Sequence, residues 1–289
     1  MKTFDARGSG KAFPFILYGV LTLAMLVVLI PLIYVVCISF ATKQEILTRG
    51  FFLIPREWTI NAYGYLFTNR NFLNAFNNAL YITAVGTAIN IVLTGLMAYG
   101  LSKSWLKGRK TINLLVLFTM LFGGGMIPTY LVVKELHLLN SYWSLFLTGA
   151  VAPFNLIVMR SFFQNIPIEL EESARMDGCG EFRLLWKIIL PLSLPVVATF
   201  VLFYAVNNWN TYFNAILYLN DTAKWPLQVF LRQMLIETDM GMESNSDGFE
   251  YSQAVKMAAV VITALPLSIV YPFLQKHFNQ GMMLGSVKG

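Results

Sequence analysis

Two short stretches hold most of the side chains that could do chemistry. The first, EESARMDGCGEFRLLWKIILP at residues 171–191, crowds Glu171, Glu172, Arg175, Asp177, Glu181, Arg183 and Lys187 together and then turns apolar. The second, NNWNTYFN at 207–214, sets Asn207, Asn208 and Asn210 beside Trp209 and Tyr212. Amides and aromatic faces together suit a neutral or weakly charged sugar, through hydrogen bonds and stacking. The charged stretch offers contacts to a soluble partner. Neither offers a catalytic step. No HExxH pattern or nucleophile–base pair is recognisable, so no catalytic residue is assigned. His137 and His277 are far apart and lack Cys or carboxylate neighbours at ligand spacing, so no metal site is expected. GSGKA at 8–12 misses a phosphate loop: Asp5 stands where the first Gly belongs, Ala12 replaces Ser or Thr, and no strand precedes it.

The elements that must position these residues are membrane helices. The chain is 56% hydrophobic and 12% charged, against about 25% charged for a typical soluble domain. Six apolar stretches, near 13–40, 74–101, 112–133, 142–163, 192–213 and 255–274, each approach the length needed to cross a bilayer. The expectation is an all-α, polytopic membrane protein with six transmembrane helices, the first an uncleaved anchor. It divides into an N-terminal tail (1–12), a transmembrane region (13–274) and a C-terminal tail (275–289). Thirteen Lys and Arg fall on the side of both tails and the charged stretch, and eight on the other. That bias places the tails in the cytoplasm and accounts for the net charge of +6 without a nucleic-acid partner. Cys37 and Cys179 then fall in different compartments and form no disulfide.

Polar residues inside the stretches need partners. Asn77, Asn78, Asn90 and Asn155 fit either hydrogen bonding between helices or a water-filled cavity. Asn207, Asn208, Trp209, Asn210 and Tyr212, with Asn155, are the candidates for a substrate path. No cationic cluster falls within the stretches, so an acidic sugar would have to be recognised by amides, water or a partner. Gly123, Gly124, Gly125 and Pro128 break the third stretch, as a close-packing kink or as a gate.

The charged stretch belongs to a loop at 165–191. Pro167 suits a first helical turn, with Glu169 and Glu171 following where acids are favoured. Gly178 and Gly180 end that helix. A second starts near Glu181, with Phe182, Leu185, Trp186 and Ile189 on one face, and runs into Leu190-Pro191 and the next span. An interfacial helix on lipid and a docking lever gripped by a soluble partner both fit this amphipathic elbow.

Glu172-Ser173-Ala174, three residues, Gly178, nine residues and then Ile188-Ile189-Leu190-Pro191 resembles the EAA…G…I.LP loop of bacterial ABC importer permeases. GGGMIPTYLVVKELHLLNS, FYAVNNWNTYFNAI, WPLQVFLRQML and PFLQKHFNQGMMLGSVKG look like the carbohydrate-uptake branch related to the smaller maltose-permease subunit. Within that branch they look closest to permeases for plant or algal polysaccharide fragments. The resemblance implies a type I importer permease fold in a bacterial inner membrane. It makes Glu172, Ser173, Ala174, Asp177, Gly178, Leu190 and Pro191 the contact with an ATPase. Implied partners are a second permease, two ATPase subunits that bind ATP and Mg, and an extracytoplasmic solute-binding protein docked in part by the outer loop 220–255. The rival class, an ion-coupled secondary sugar carrier, would keep ionisable residues deep in its spans. None lies deep in the six stretches.

Overall fold

Apolar runs become helices along the whole chain, and the polar residues between them decide where each helix breaks. The structure, a computed structural model, describes residues 12–239 and 252–286, with side chains within 14–236 and 252–272. The segment 1–11, which carries most of GSGKA, the acidic tip at 240–251 of the outer loop and residues 287–289 lie outside the described residues. Two compact units form, Met1–Asn69 with Met234–Ala264, and Arg70–Gln233 with Leu265–Gly289.

The first unit opens with α1 (Ala12–Ser39). Only 6% of its apolar window is buried, and a helix that is apolar all round belongs in lipid. Thr42 caps α2 (Lys43–Arg49), its Oγ1 accepting the Glu45 N–H at 3.2 Å. The Glu45 carboxylate accepts the N–H groups of Arg56 (2.9 Å) and Glu57 (3.4 Å) and pairs with Arg49. This ties the loop before α3 (Asn61–Thr68) to α2. Ile38, Ala41 and Phe52 form a small core, and an isolated bridge pairs Ala41 with Trp58.

The second unit is built on α4 (Arg70–Ser102), whose 33 residues span about 50 Å at 1.5 Å each, well beyond a hydrocarbon core of about 30 Å. There follow α5 (Arg109–Leu121), α6 (Met126–Glu135), α7 (Trp143–Thr148) and α8 (Pro153–Gln164). Next come α9 (Ile168–Met176) and α10 (Glu181–Leu184), which passes through a π turn at Leu185–Ile189 into α11 (Leu190–Leu192). α12 (Leu194–Trp209) and α13 (Phe213–Tyr218) lead through a 3₁₀ turn at Thr222–Lys224 to α14 (Leu227–Asp239) and α15 (Gln253–Ser286), of which Met234–Ala264 is assigned to the first unit. α4 packs along both α8 and α12.

Three of the expected spans are continuous helices: Pro14–Ser39, Arg70–Ser102 and Gln253–Pro272. The third is not one kinked helix, because α5 and α6 turn through 118° across Phe122–Gly125. Gly125 takes φ +87°, which strains any side chain, while Gly123 and Gly124 have nothing within 4 Å of a Cβ position. Among the described residues of this chain, Gly125 therefore supplies backbone conformation, and Gly123 and Gly124 pack against nothing. Pro128 sits in the first turn of α6, where its missing donor costs no helical bond. The fourth stretch is two helices, α7 and α8, because Pro153 starts a new helix after an unwound segment. Residues 275–286, read as tail, continue α15 as helix.

Candidate functional site

The elbow is a pair of short helices joined by a turn that only local chemistry could end so sharply. Pro167 is the N-cap of α9, one position earlier than a first-turn placement. At the other end Cys179 N–H donates to Ala174 C=O at 2.9 Å and Gly178 N–H to Arg175 C=O at 3.0 Å, with Gly178 at φ +77°. This is a Schellman stop, and it needs the left-handed backbone that glycine adopts freely. Nothing lies within 4 Å of a Cβ at Gly178, so within this chain the residue provides the bend and not a close contact.

The inner side of the elbow is apolar. Ala174, Leu184, Leu185 and Ile189 are buried in one core with Ala98 and Tyr99 of α4, Leu156 and Met159 of α8, and Phe200 of α12. Phe182 and Trp186, expected on that face, point outward instead, because the buried arc is centred on Leu184, Leu185 and Ile189. Met176 (88% exposed) and Phe182 (73%) stand beside exposed Glu172, Ser173, Asp177 and Gly178. Leu190 and Pro191 lie before a bend of 86° at Ser193 that separates Glu181–Leu192 from α12. The span therefore begins at Leu194, and the elbow does not continue it in a straight line.

Charged side chains make a second attachment that sequence reasoning missed. Lys103, buried just past the end of α4, donates from Nζ to Glu171 Oε1 at 2.5 Å and lies 4.2 Å above the Tyr99 ring. Arg175 reaches both Glu171 (3.5 Å) and Glu181 (3.0 Å), and the Tyr99 hydroxyl donates to Glu181. α9 and α10 are thus both fastened to the end of α4.

The amide–aromatic stretch divides by exposure. Trp209 is 2% exposed and meets the Phe76 ring edge-on at 6.1 Å. Asn208 Nδ2 donates to Asn90 Oδ1 (2.9 Å) and Thr87 Oγ1 (3.3 Å), and a Cβ on Gly86 would approach it to 2.9 Å. Asn90 Nδ2 in turn donates to the carbonyls of Gly149 (2.7 Å) and Ala150 (3.0 Å). The Ala152 N–H donates to the Tyr204 hydroxyl, which also shares a hydrogen bond with Thr94. These contacts satisfy the unwound backbone between α7 and α8, which lipid could not do. Within this chain Trp209 and Asn155 are buried and Asn208 is half-buried, so these three expected path residues pack against neighbouring helices here. Asn78, too, ties helix to loop, donating to Ala223 C=O at 2.8 Å.

Asn207 and Asn210 remain exposed, and Tyr212 is half-buried. Gln228 Nε2 of α14 donates to Asn210 Oδ1 at 3.2 Å, and the Arg232 guanidinium lies 4.7 Å above the Tyr212 ring. No cationic cluster is expected within the apolar stretches, and α14, outside them, brings a single cation to this one from the following loop.

The described residues thus form an all-helical chain with apolar spans and a surface elbow packed on α4, α8 and α12, the architecture of a polytopic membrane subunit. The match to a known family covers residues 6–284: the chain belongs to the family described as binding-protein-dependent transport system inner membrane component. It is a multi-pass inner-membrane permease of an ABC importer and carries no catalytic function of its own. It is 50% identical over 284 residues to the polygalacturonan/rhamnogalacturonan transport system permease protein YtcP of Bacillus subtilis (strain 168), covering 96% of this chain and 99% of that one. Protein LplC of the same organism is 51% identical over 267 residues, 91% of this chain and 90% of the other. A solved bacterial ABC transporter involved in import of the acidic polysaccharide alginate contains a chain with TM-score 0.86 and 30% identity, covering 96% of this chain and 100% of that one.

Proposed function

We propose that this permease forms half of an import path for pectin-type oligosaccharides rich in uronate units. The full-length 50% identity to a polygalacturonan/rhamnogalacturonan permease carries this reading. The partners are a second permease, two ATPase subunits that bind ATP and Mg, and an extracytoplasmic binding protein. Both termini and the elbow face the cytoplasm. Glu172, Ser173, Ala174, Asp177 and Gly178 meet the ATPase, with Leu190 and Pro191 linking that contact to the bend before α12. Exposed Met176 and Phe182 support it, since bare apolar side chains beside charges fit a protein partner. Asn207, Asn210 and Tyr212 face the sugar, and the turn at Gly123, Gly124, Gly125 and Pro128 serves as a gate.

The assembled complex in proteoliposomes provides the test. Tetragalacturonate loaded on the binding protein should enter only with ATP inside the compartment containing the ATPase. Uptake driven by a proton or sodium gradient without ATP would instead establish a secondary carrier. Uptake of neutral oligosaccharides alone would overturn the uronate assignment.

A further inference from the structure

We infer that Arg232, stacked on Tyr212 and flanked by Gln228 and Asn210, is a contact for the carboxylates of passing uronate units at the outer end of the path. The inference rests on the transport reading above and adds a residue to it. Gln228 and Arg232 are four positions apart on α14 and so share one face. That face meets the turn after α12, where Asn210 accepts from Gln228 at 3.2 Å and the Tyr212 ring lies 4.7 Å from the guanidinium. A ring beneath a guanidinium fixes its plane without using its N–H groups. Among the described residues Arg232 has no carboxylate partner within ion-pair distance, and its side chain is exposed.

This combination is more specific than a surface charge. A planar fork can hold a carboxylate with two parallel hydrogen bonds, which a Lys point charge cannot. The neighbouring amides and ring add partners for the hydroxyls and C–H face of the same sugar. Two of the proteins similar to this chain handle acidic polymers, polygalacturonan/rhamnogalacturonan and alginate. Exposure to water keeps such a contact weak, which a path requires if the sugar is to leave again.

The test uses the complete transporter with tetragalacturonate as probe and reads two quantities, uptake per ATP hydrolysed and ATPase stimulation by the loaded binding protein. Arg232→Gln should lower uptake per ATP by about tenfold, the scale of one charge-assisted contact, with stimulation retained. Gln228→Glu, which sets a negative charge beside Arg232, should lower uptake more than Gln228→Ala. Unchanged uptake in Arg232→Gln, or equal effects of Glu and Ala at 228, would overturn the inference. Loss of stimulation together with uptake would also overturn it, assigning this face to docking of the binding protein. Failure of the wild-type complex to import tetragalacturonate would remove the transport reading itself, a result distinguishable from all of these.

Discussion

At the scale of single residues, the strongest polar links join positions that look unrelated in the chain. Lys103 and Glu171 are 68 positions apart and both nearly inaccessible to water, and Tyr99 supports the ammonium from below. Removing one member of a buried pair leaves the other charge uncompensated, at about 3–5 kcal/mol. Arg175 offers Glu171 a second, longer contact, so Lys103→Met should fall near the lower end of that range. Replacing both, as Lys103→Met with Glu171→Leu, should cost clearly less than the sum of the two single changes. Denaturation midpoints of the four proteins in detergent would check this, and additive losses would show that the pair is not coupled. Neither residue announced this role. A Lys just beyond an apolar run reads as a topology signal, and Glu171 reads as a favourable first-turn acid. Nothing in a linear pattern states that an end of α4 and the start of the elbow will meet.

Among the elements, local punctuation was legible and long-range geometry was not. The Gly178 stop, the start at Glu181 and the break at Gly123–Gly125 follow from backbone rules that act over a few residues, whereas the break before Pro153 lies in a run that reads as a continuous span. The 86° bend at Ser193, where the run reads as a simple span, and the 118° size of the turn before α6 depend on what packs against each helix. The burial of Trp209 was hidden for a similar reason: composition reveals an aromatic–amide cluster but not which members face inward within the chain. The connection after α1 gives an element whose stability should follow pH. Backbone donation from Arg56, against a smaller opposing effect of burial, holds the Glu45 carboxyl below its ordinary value, and Arg49 and the Glu57 N–H act in the same direction. A depressed carboxyl contributes fully above the unfolded value near 4.5 and loses that contribution as pH falls through the folded one. Amide-exchange protection of Arg56 and Glu57 should therefore fall as the medium is acidified below that point. Glu45→Gln should lack this acid-dependent step. Protection independent of pH in the wild type would show that the carboxylate does not hold the loop.

For the whole molecule, the question is how a soluble motor could move a path inside lipid. The elbow is joined to α12 through a sharp corner and bolted to the end of α4 by the Lys103–Glu171 and Tyr99–Glu181 contacts, with Arg175 tying Glu171 to Glu181 inside the elbow. Its apolar side shares a core with α4, α8 and α12. A push on α9 therefore acts on a packed set of three helices, not on one span pulled from its end. α4 and α12 are the helices cross-linked by Asn90 and Asn208, so the same displacement reaches the break between α7 and α8. Gly178 allows this coupling to be separated from folding. Its left-handed backbone makes any side chain cost about 1 kcal/mol, yet its Cβ position is open within this chain. Gly178→Ala and Gly178→Asp should thus both insert and fold with similar small losses. On the proposed docking of the elbow, only Gly178→Asp should fail to import, because bulk and a new negative charge would then meet the ATPase and no described group of this chain. Glu172→Lys, on the same exposed surface, should behave likewise. With each variant purified alongside its partners, bound ATPase, hydrolysis and uptake are measured together. Normal uptake in Gly178→Asp and Glu172→Lys would leave the elbow as a surface helix, and equal failure of Gly178→Ala would trace the defect to the turn itself.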